Sequence, residues 1–87
     1  MTEFMSDIIA VGDFMIFKRV KHLRQDNDFT QQHVANLLHI SRSTYSAYEN
    51  GANALPITTL INIAKIYNTS TDYILELTDN PSPYRLK

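Results

Sequence analysis

The chain has 87 residues, of which 44% are hydrophobic and 20% are charged, and it contains no cysteine. This length and composition fit one small globular domain and exclude a disulfide scaffold, a thiolate metal site and a cysteine nucleophile. Eight Lys and Arg residues against nine Asp and Glu residues give a formal net charge of -1, so the overall charge indicates no polyanionic partner. No apolar run reaches the roughly 20 residues of a membrane span, and a basic signal-peptide start is absent. We therefore expect a soluble, cytoplasmic protein with no membrane partner.

The two ends of the chain differ from its middle. Residues 1–13 contain the apolar string Ile8-Ile9-Ala10-Val11, which fits an arm packed on the domain, an extra helical turn or a partner-binding segment. Residues 79–87 contain two prolines, which remove backbone donors and disfavour helix in the preceding residues, so we expect an extended tail. The domain itself is placed at residues 14–78, between an N-terminal arm and a C-terminal tail.

Helical periodicity begins directly after the arm. In residues 14–25 the apolar side chains fall on one face, which predicts a first amphipathic helix. That face consists of Ile16, Phe17, Val20 and Leu23. Thr30 is a candidate N-cap for a second, short helix that ends near Leu38.

Three more helices follow by the same criteria. Ser41 can cap a third helix, which stops at Asn50-Gly51 because glycine readily adopts the left-handed conformation that ends helices. A fourth, broadly apolar helix follows Pro56 and ends near Asn68. Ser70 can cap a last short helix, which carries Tyr73, Ile74 and Leu77. With no competing strand pattern, the sequence predicts an all-α domain of five helices.

The second and third helices are joined by a turn of three or four residues, which is typical of a helix-turn-helix. In that motif the second helix enters the major groove of DNA. Ala35 is small enough for the two helices to cross closely, and Ile40 and Tyr45 are expected to bury the turn. His39 lies where the backbone should take a positive φ. Tyr48 lies three residues after Tyr45, so both rings are assigned to the core rather than to base stacking.

A combined pattern of short motifs covers residues 14–77. It consists of Leu23-Arg24, Phe29-Thr30-Gln31, Val34-Ala35, Ile40-Ser41-Arg42-Ser43-Thr44-Tyr45, Tyr48-Glu49-Asn50-Gly51, Pro56, Leu60-Ile61-Asn62-Ile63-Ala64-Lys65 and Ser70-Thr71-Asp72-Tyr73-Ile74-Leu75. With these elements in this order, the chain resembles the Cro/C1-type helix-turn-helix family of phage repressors and bacterial Xre-like regulators. The resemblance implies a compact, five-helix lambda-repressor-like domain that binds double-stranded DNA.

The resemblance also implies which residues contact DNA. They are Gln31, Gln32, Arg42, Ser43, Thr44, Ser46, Ala47 and Asn50. Gln31 would reach a phosphate through its amide and the helix N-terminus. Arg42 is the only long donor on the outward face of the third helix and would either read guanine or contact a phosphate. Asn50 is read equally as a phosphate contact or as an ordinary helix stop.

Two further features follow from the resemblance. Arg24 and Glu49 match a family pair that ties the first helix to the end of the third, and we assign them a structural role. The loop of residues 51–57 contains no Lys or Arg, whereas many relatives place basic residues there against the DNA backbone. We therefore expect weak non-specific affinity and dependence on a dimer.

No catalytic or cofactor site is predicted. His22, His33 and His39 do not form a metal-binding pair at i, i+4, and no glycine-rich phosphate loop or nucleophile elbow occurs.

The helix-turn-helix pattern and the family resemblance together predict a transcriptional regulator of the phage or mobile-element repressor type, which acts as a dimer on an inverted-repeat operator.

Three regions are candidates for the dimer surface. They are the last helix around Tyr73, Ile74 and Leu77, the tail at Tyr84, and the N-terminal arm. The alternative function is a protein-interaction module such as an antitoxin or antirepressor, because the apolar arm and the uncharged loop suit a protein partner.

Overall fold

The structure is a computed structural model and describes residues 16–83. Within these residues the chain forms five α-helices and no strand. They are α1 (Lys18–Asp26), α2 (Gln31–Leu38), α3 (Arg42–Glu49), α4 (Ile57–Ile66) and α5 (Thr71–Ile74). The predicted all-α class and the five helices are confirmed. No helix among these residues is long and apolar enough to cross a membrane.

Three helices begin at the predicted capping residues. The side-chain oxygens of Thr30, Ser41 and Ser70 accept hydrogen bonds from backbone N–H groups three residues later, at 3.0, 3.1 and 3.0 Å. These bonds satisfy donors that the first helical turn leaves unpaired. The starts of α2, α3 and α5 are therefore determined locally, as the sequence predicted.

Left-handed residues end two of the helices at predicted positions. His39 has φ 59° and ψ 39°, and the N–H of Ile40 donates to the carbonyl of Ala35 at 3.0 Å, which closes α2. Gly51, with φ 81°, follows the end of α3. The positive φ expected at His39 is confirmed, and the backbone turns there from α2 into α3.

The first helix is shorter than predicted. Phe17, with φ −91° and ψ 86°, precedes α1, so the helix begins at Lys18. Ile16 consequently lies before the helix and is 60% exposed, and its assignment to the buried face was wrong. The side chain lies against Gly51, where an added Cβ would come within 2.5 Å of Ile16 Cγ1. The predicted start at Phe14 lies outside the described residues.

The core lies between the helices and draws on all five. Its buried residues are Val20, Val34, Ala35, Tyr45, Leu60, Ile63, Ala64 and Ile74. Ala35 is fully buried, as a close crossing of α2 and α3 requires. Because α3 packs against both α1 and α2, the core holds the helix that carries the candidate DNA-binding residues.

Tyr48 does not join this core and is only half-buried, so its assignment there was wrong. A step of three residues rotates a side chain about 60° away from Tyr45 around the helix, whereas a step of four rotates it only about 40°. The inward line of α3 therefore runs from Tyr45 to Glu49, which is buried in place of Tyr48.

The last helix is also shorter than predicted. It ends at Ile74, and Glu76 takes φ 64°, which turns the chain out of the helix. Leu77 therefore lies beyond α5 and is 72% exposed, whereas Ile74 is fully buried. The inclusion of Leu77 in the helix was wrong, and Ile74 belongs to the core rather than to a dimer surface.

Arg19 of α1 holds the segment that follows α5. Its Nη1 donates to the carbonyls of Tyr73 and Thr78 at 2.8 and 2.7 Å, and its Nη2 donates to Asp79 Oδ1 at 2.8 Å. The guanidinium also lies over the Tyr73 ring, 4.1 Å from the centroid. Residues 78–83 are irregular, and these bonds tie their beginning to the helical domain.

Candidate nucleic-acid interface

The candidate interface is the outer surface of α3 together with the start of α2. Arg42 and Ser43 are exposed in the first turn of α3, and Thr44, Ser46 and Ala47 are half-buried. On α2, Gln31 is half-buried and Gln32 is exposed. The predicted residues therefore lie on the two helices of the motif, with Arg42 as the most prominent donor.

The start of α3 carries a cluster of hydroxyl groups. Ser41 Oγ donates to Thr44 Oγ1 at 2.8 Å and lies 3.2 Å from Ser43 Oγ. Because Ser41 Oγ also caps the helix, the Thr44 hydroxyl is directed toward the N-cap. Contacts of Ser43, Thr44, Ser46 and Ala47 with DNA stay a prediction.

Behind this surface, the Glu49 carboxylate is the centre of a hydrogen-bond network. Arg24 Nε donates to Oε2 at 2.7 Å and Arg24 Nη2 donates to Oε1 at 3.0 Å. Tyr45 donates its hydroxyl to Oε2 at 2.6 Å, and Gln31 Nε2 donates to Oε1 at 3.1 Å. Three side chains from α1, α2 and α3 thus converge on one buried carboxylate.

This network shifts the pKa values of its members. Burial by itself raises the pKa of the Glu49 carboxyl, but the hydrogen bonds from Arg24, Tyr45 and Gln31 outweigh burial and hold that pKa below its ordinary value. The hydrogen bond to Glu49 raises the pKa of the Arg24 guanidinium, and burial followed by the Glu49 contact raises the pKa of the Tyr45 phenol. The charged Arg24–Glu49 pair and the neutral phenol are therefore the stable forms near neutral pH.

The network extends outward to the surface through Gln31. Arg42 Nη1 donates to Gln31 Oε1 at 3.1 Å, while Gln31 Nε2 is bound to Glu49. Gln31 therefore links the buried carboxylate to the exposed arginine at the start of α3. Sequence reasoning treats these residues separately, as a phosphate contact, a base contact and a structural pair.

Sequence reasoning also missed the hydroxyl of Tyr45, because apolar spacing assigns the ring to the core. The available signal was the distance of four residues between Tyr45 and Glu49, which places two side chains one above the other on a helix. The partnership of Gln31 with Glu49 joins different helices, and no local spacing indicates it.

Asn50 and the following loop complete this region. Asn50 Oδ1 accepts a hydrogen bond from the N–H of Ala52 at 2.9 Å, which supports its role as a helix stop. Its contact with a phosphate stays a prediction. In the uncharged loop, residues 52–54 are exposed, so the loop presents no cation on this part of the surface.

Two short helices crossing at a buried alanine, with a left-handed turn between them and a polar outer face, define a helix-turn-helix DNA-binding domain. Residues 20–74 match the family model described as helix-turn-helix. The chain belongs to this family, in its Cro/C1-type, Xre-like branch of transcriptional regulators.

Curated relatives agree with this assignment. The chain is 36% identical over 69 residues to YobD of Bacillus subtilis, an uncharacterised HTH-type transcriptional regulator, covering 79% of this chain and 62% of YobD. It is 34% identical over 53 residues to RstR, a cryptic phage CTXphi transcriptional repressor of Vibrio cholerae, covering 61% of this chain and 48% of RstR. It is 38% identical over 56 residues to the antitoxin PezA of Streptococcus pneumoniae, covering 64% of this chain and 35% of PezA. The chain thus spans less than two thirds of the length of each of these relatives.

Proposed function

We propose that the protein is a sequence-specific repressor of transcription that acts as a dimer on an inverted-repeat operator in double-stranded DNA. The observation that carries this proposal is the exposed Arg42 at the start of α3, backed by the buried Glu49 network. The similarity to a phage transcriptional repressor supports repression rather than activation.

In the proposed complex, α3 lies in the major groove and its first turn faces the base edges. Arg42 donates two hydrogen bonds to O6 and N7 of a guanine, a contact worth about 1 to 3 kcal/mol of discrimination. Ser43, Ser46 and Ala47 contact neighbouring base edges, sugars or thymine methyl groups. Gln31 and Gln32 lie at the N-terminus of α2, where free backbone N–H groups favour a phosphate.

The charge distribution supports binding as a dimer. The domain is nearly neutral and its 51–57 loop carries no cation, so one copy makes few of the phosphate contacts that provide non-specific affinity. Two copies related by a two-fold axis would place their α3 helices about 34 Å apart, one turn of DNA. Binding of two half-sites then compensates for the weak contacts of each copy.

Of the three regions considered for the dimer surface, the structure describes the end of α5, where Leu77 is 72% exposed. The other two regions considered from the sequence, Tyr84 and the N-terminal arm of residues 1–13, lie outside the described residues.

The test is selection from random duplex DNA at low salt with the wild-type protein, Arg42→Ala and Lys21→Ala. Lys21 is exposed on α1 and is not among the candidate interface residues of α2 and α3, so its variant removes the same charge at another position. We expect the wild type and Lys21→Ala to enrich an inverted repeat that Arg42→Ala fails to enrich. Equal enrichment by all three proteins would contradict base reading by Arg42.

The second candidate function is a protein-interaction module such as an antitoxin or antirepressor. The similarity to an antitoxin favours it, as do the uncharged loop and the 70% exposed Ile57 at the start of α4. Under this alternative the wild type enriches no DNA sequence, and Arg42→Ala leaves binding to the protein partner unchanged.

A further inference from the structure

We propose that the outer face of α4 is a docking surface for residues 4–15 of the same chain, which bind there through an amphipathic helical stripe. The proposal goes beyond the proposed function and does not depend on DNA. The structure provides the surface, and the segment, which precedes the described residues, is known by its sequence.

The outer face of α4 carries apolar side chains where a solvent-facing helix is normally polar. On its inner face α4 buries Leu60, Ile63 and Ala64, yet Ile57 and Ile61 are 70% and 40% exposed. Among the described residues with large exposed apolar side chains, only these two lie one helical turn apart on the same helix. A helix that is apolar on both sides is typical of one that is covered on both sides.

The segment of residues 4–15 carries a matching stripe. Its apolar residues recur at steps of four, three and four, which places them on one face of a helix. Glu3 and Asp7 flank this face, and Ser6 and Asp13 lie opposite it. The stripe consists of Phe4, Ile8, Val11 and Met15.

The charges of the two surfaces are complementary. Residues 1–15 contain three acidic residues and no Lys, Arg or His, whereas residues 50–71 contain no acidic residue and one cation, Lys65. Lys65 is exposed one turn after Ile61 and extends the face of Ile57 and Ile61 with a positive charge. An apolar stripe flanked by carboxylates fits such a face, whereas DNA phosphates would repel it.

The segment joins the domain close to α4. It leads into Ile16, whose side chain lies against Gly51, and Ile57 follows Gly51 by six residues. That stretch of chain spans at most about 20 Å. Residues 4–15 as a helix are about 18 Å long, so the stripe can reach the start of α4 from its point of attachment.

The small size of the contact favours the same chain over a second copy. Interfaces that hold separate proteins together bury about 800 Å² on each side, from roughly 20 to 30 residues. The stripe offers four large side chains against two isoleucines, which is well below this size. Within one chain, the tether raises the effective concentration of the segment to about the millimolar range, which makes a small contact sufficient. A protein partner that binds α4 would have to displace the segment.

Paramagnetic relaxation in the intact protein tests the docking without DNA. The chain contains no cysteine, so a nitroxide on Ser6→Cys labels only the segment, at a position opposite its stripe. We expect the label to weaken the amide signals of residues 57–61. Ile8→Ser, in the stripe, should lower the ratio of docked to undocked segment by about tenfold, the factor expected for removing one isoleucine contact, and restore these signals. Ile9→Ser makes the same exchange outside the stripe and should leave them weakened.

The same label tests the surface from the other side. Ile57→Ser should restore the signal of Ile61, whereas Leu77→Ser, at an exposed site beyond α5, should not. Backbone spectra establish that each variant is folded. Signals that stay equally weak in Ile8→Ser and Ile9→Ser would overturn the proposal, because the segment would then lie near α4 only through its tether. A label that leaves residues 57–61 unaffected would overturn it as well.

A mixed sample decides between one chain and two. Spin-labelled protein without ¹⁵N is mixed with an equal amount of ¹⁵N-enriched protein without the label. We expect no weakening at residues 57–61 of the enriched protein. Weakening there would place the segment on a second copy and overturn docking within the chain.

Discussion

Arg24 and Glu49 meet through two hydrogen bonds, from Nε to Oε2 at 2.7 Å and from Nη2 to Oε1 at 3.0 Å. The third nitrogen of the same guanidinium, Nη1, donates to the carbonyl of Phe29 at 3.0 Å. One side chain of α1 thus holds both the end of α3 and the segment that leads into α2. Both helices of the motif are oriented from this point, which makes the pair the first target for mutation.

Each single removal from this pair should destabilise the domain by more than half of the loss caused by removing both members. Arg24→Met leaves the Glu49 carboxylate buried without its cation, and Glu49→Met leaves the Arg24 guanidinium without its carboxylate. Each single variant should therefore lower the free energy of unfolding by about 3 kcal/mol. The double variant should cost clearly less than the sum of the two single variants. Urea denaturation of the four proteins measures this, and additive losses would contradict a coupled pair.

Acid should weaken the domain through Glu49. Its pKa is 4.5 as an unperturbed group and lies lower in the folded protein, so below pH 4.5 the unfolded chain binds the proton more readily. The contribution of Glu49 to stability is therefore complete above pH 4.5 and is lost as the pH falls through the folded pKa. Denaturation of the wild type and Glu49→Gln between pH 7 and 3 should show their stability difference shrinking below pH 4.5. A difference that stays constant over this range would argue against a lowered pKa.

Glycine at position 39 should stabilise the domain. His39 has φ 59°, and a left-handed conformation costs a residue with a Cβ roughly 1 to 2 kcal/mol. Glycine avoids this cost but loses more freedom on folding, so His39→Gly should gain about 0.5 kcal/mol. His39→Ala is the control, because it removes the imidazole and keeps the Cβ. If both variants change the denaturation midpoint equally, the effect belongs to the imidazole rather than to the backbone.

A single lysine in the uncharged loop should strengthen DNA binding and its dependence on salt. Ala54 is exposed in this loop, which corresponds to the one that carries basic residues in many relatives. Each added phosphate contact steepens the slope of log K against log salt by about 0.9. We expect this change in Ala54→Lys, measured on a fixed duplex across a salt series, and no change in Ala54→Gln. An unaltered slope in Ala54→Lys would place the loop away from the DNA backbone.

The sequence by itself determined the features that depend on neighbouring residues. Thr30, Ser41 and Ser70 cap helices because their side chains reach backbone N–H groups three residues away, a relation that sequence displays directly. The left-handed turn at His39 and the apolar faces of the helices also depend on residues that are close in sequence. The all-α fold and the helix-turn-helix family therefore follow from the amino-acid sequence alone.

Only the tertiary structure decided where the first helix begins, where the last helix ends and which side chains are buried at the edges of the domain. Ile16 and Leu77 are apolar at helical spacing but lie before α1 and beyond α5, whereas Tyr48 lies within α3 and is rotated away from the core. Their burial depends on which neighbouring element covers each side chain. Spacing reports the face of a helix but not the elements packed against it.

In the candidate site, too, the sequence identifies single residues, whereas the tertiary structure decides which of them meet. Sequence reasoning identified Gln31, Arg42 and Glu49 singly, but only the packing of α2 and α3 brings the Gln31 amide between the carboxylate and the guanidinium. Hydrogen bonds between side chains of different helices require both helices to be in place to within a few tenths of an ångström. Local propensity and capping form the helices, whereas the crossing at Ala35 and the Arg24–Glu49 pair decide which of their polar groups meet.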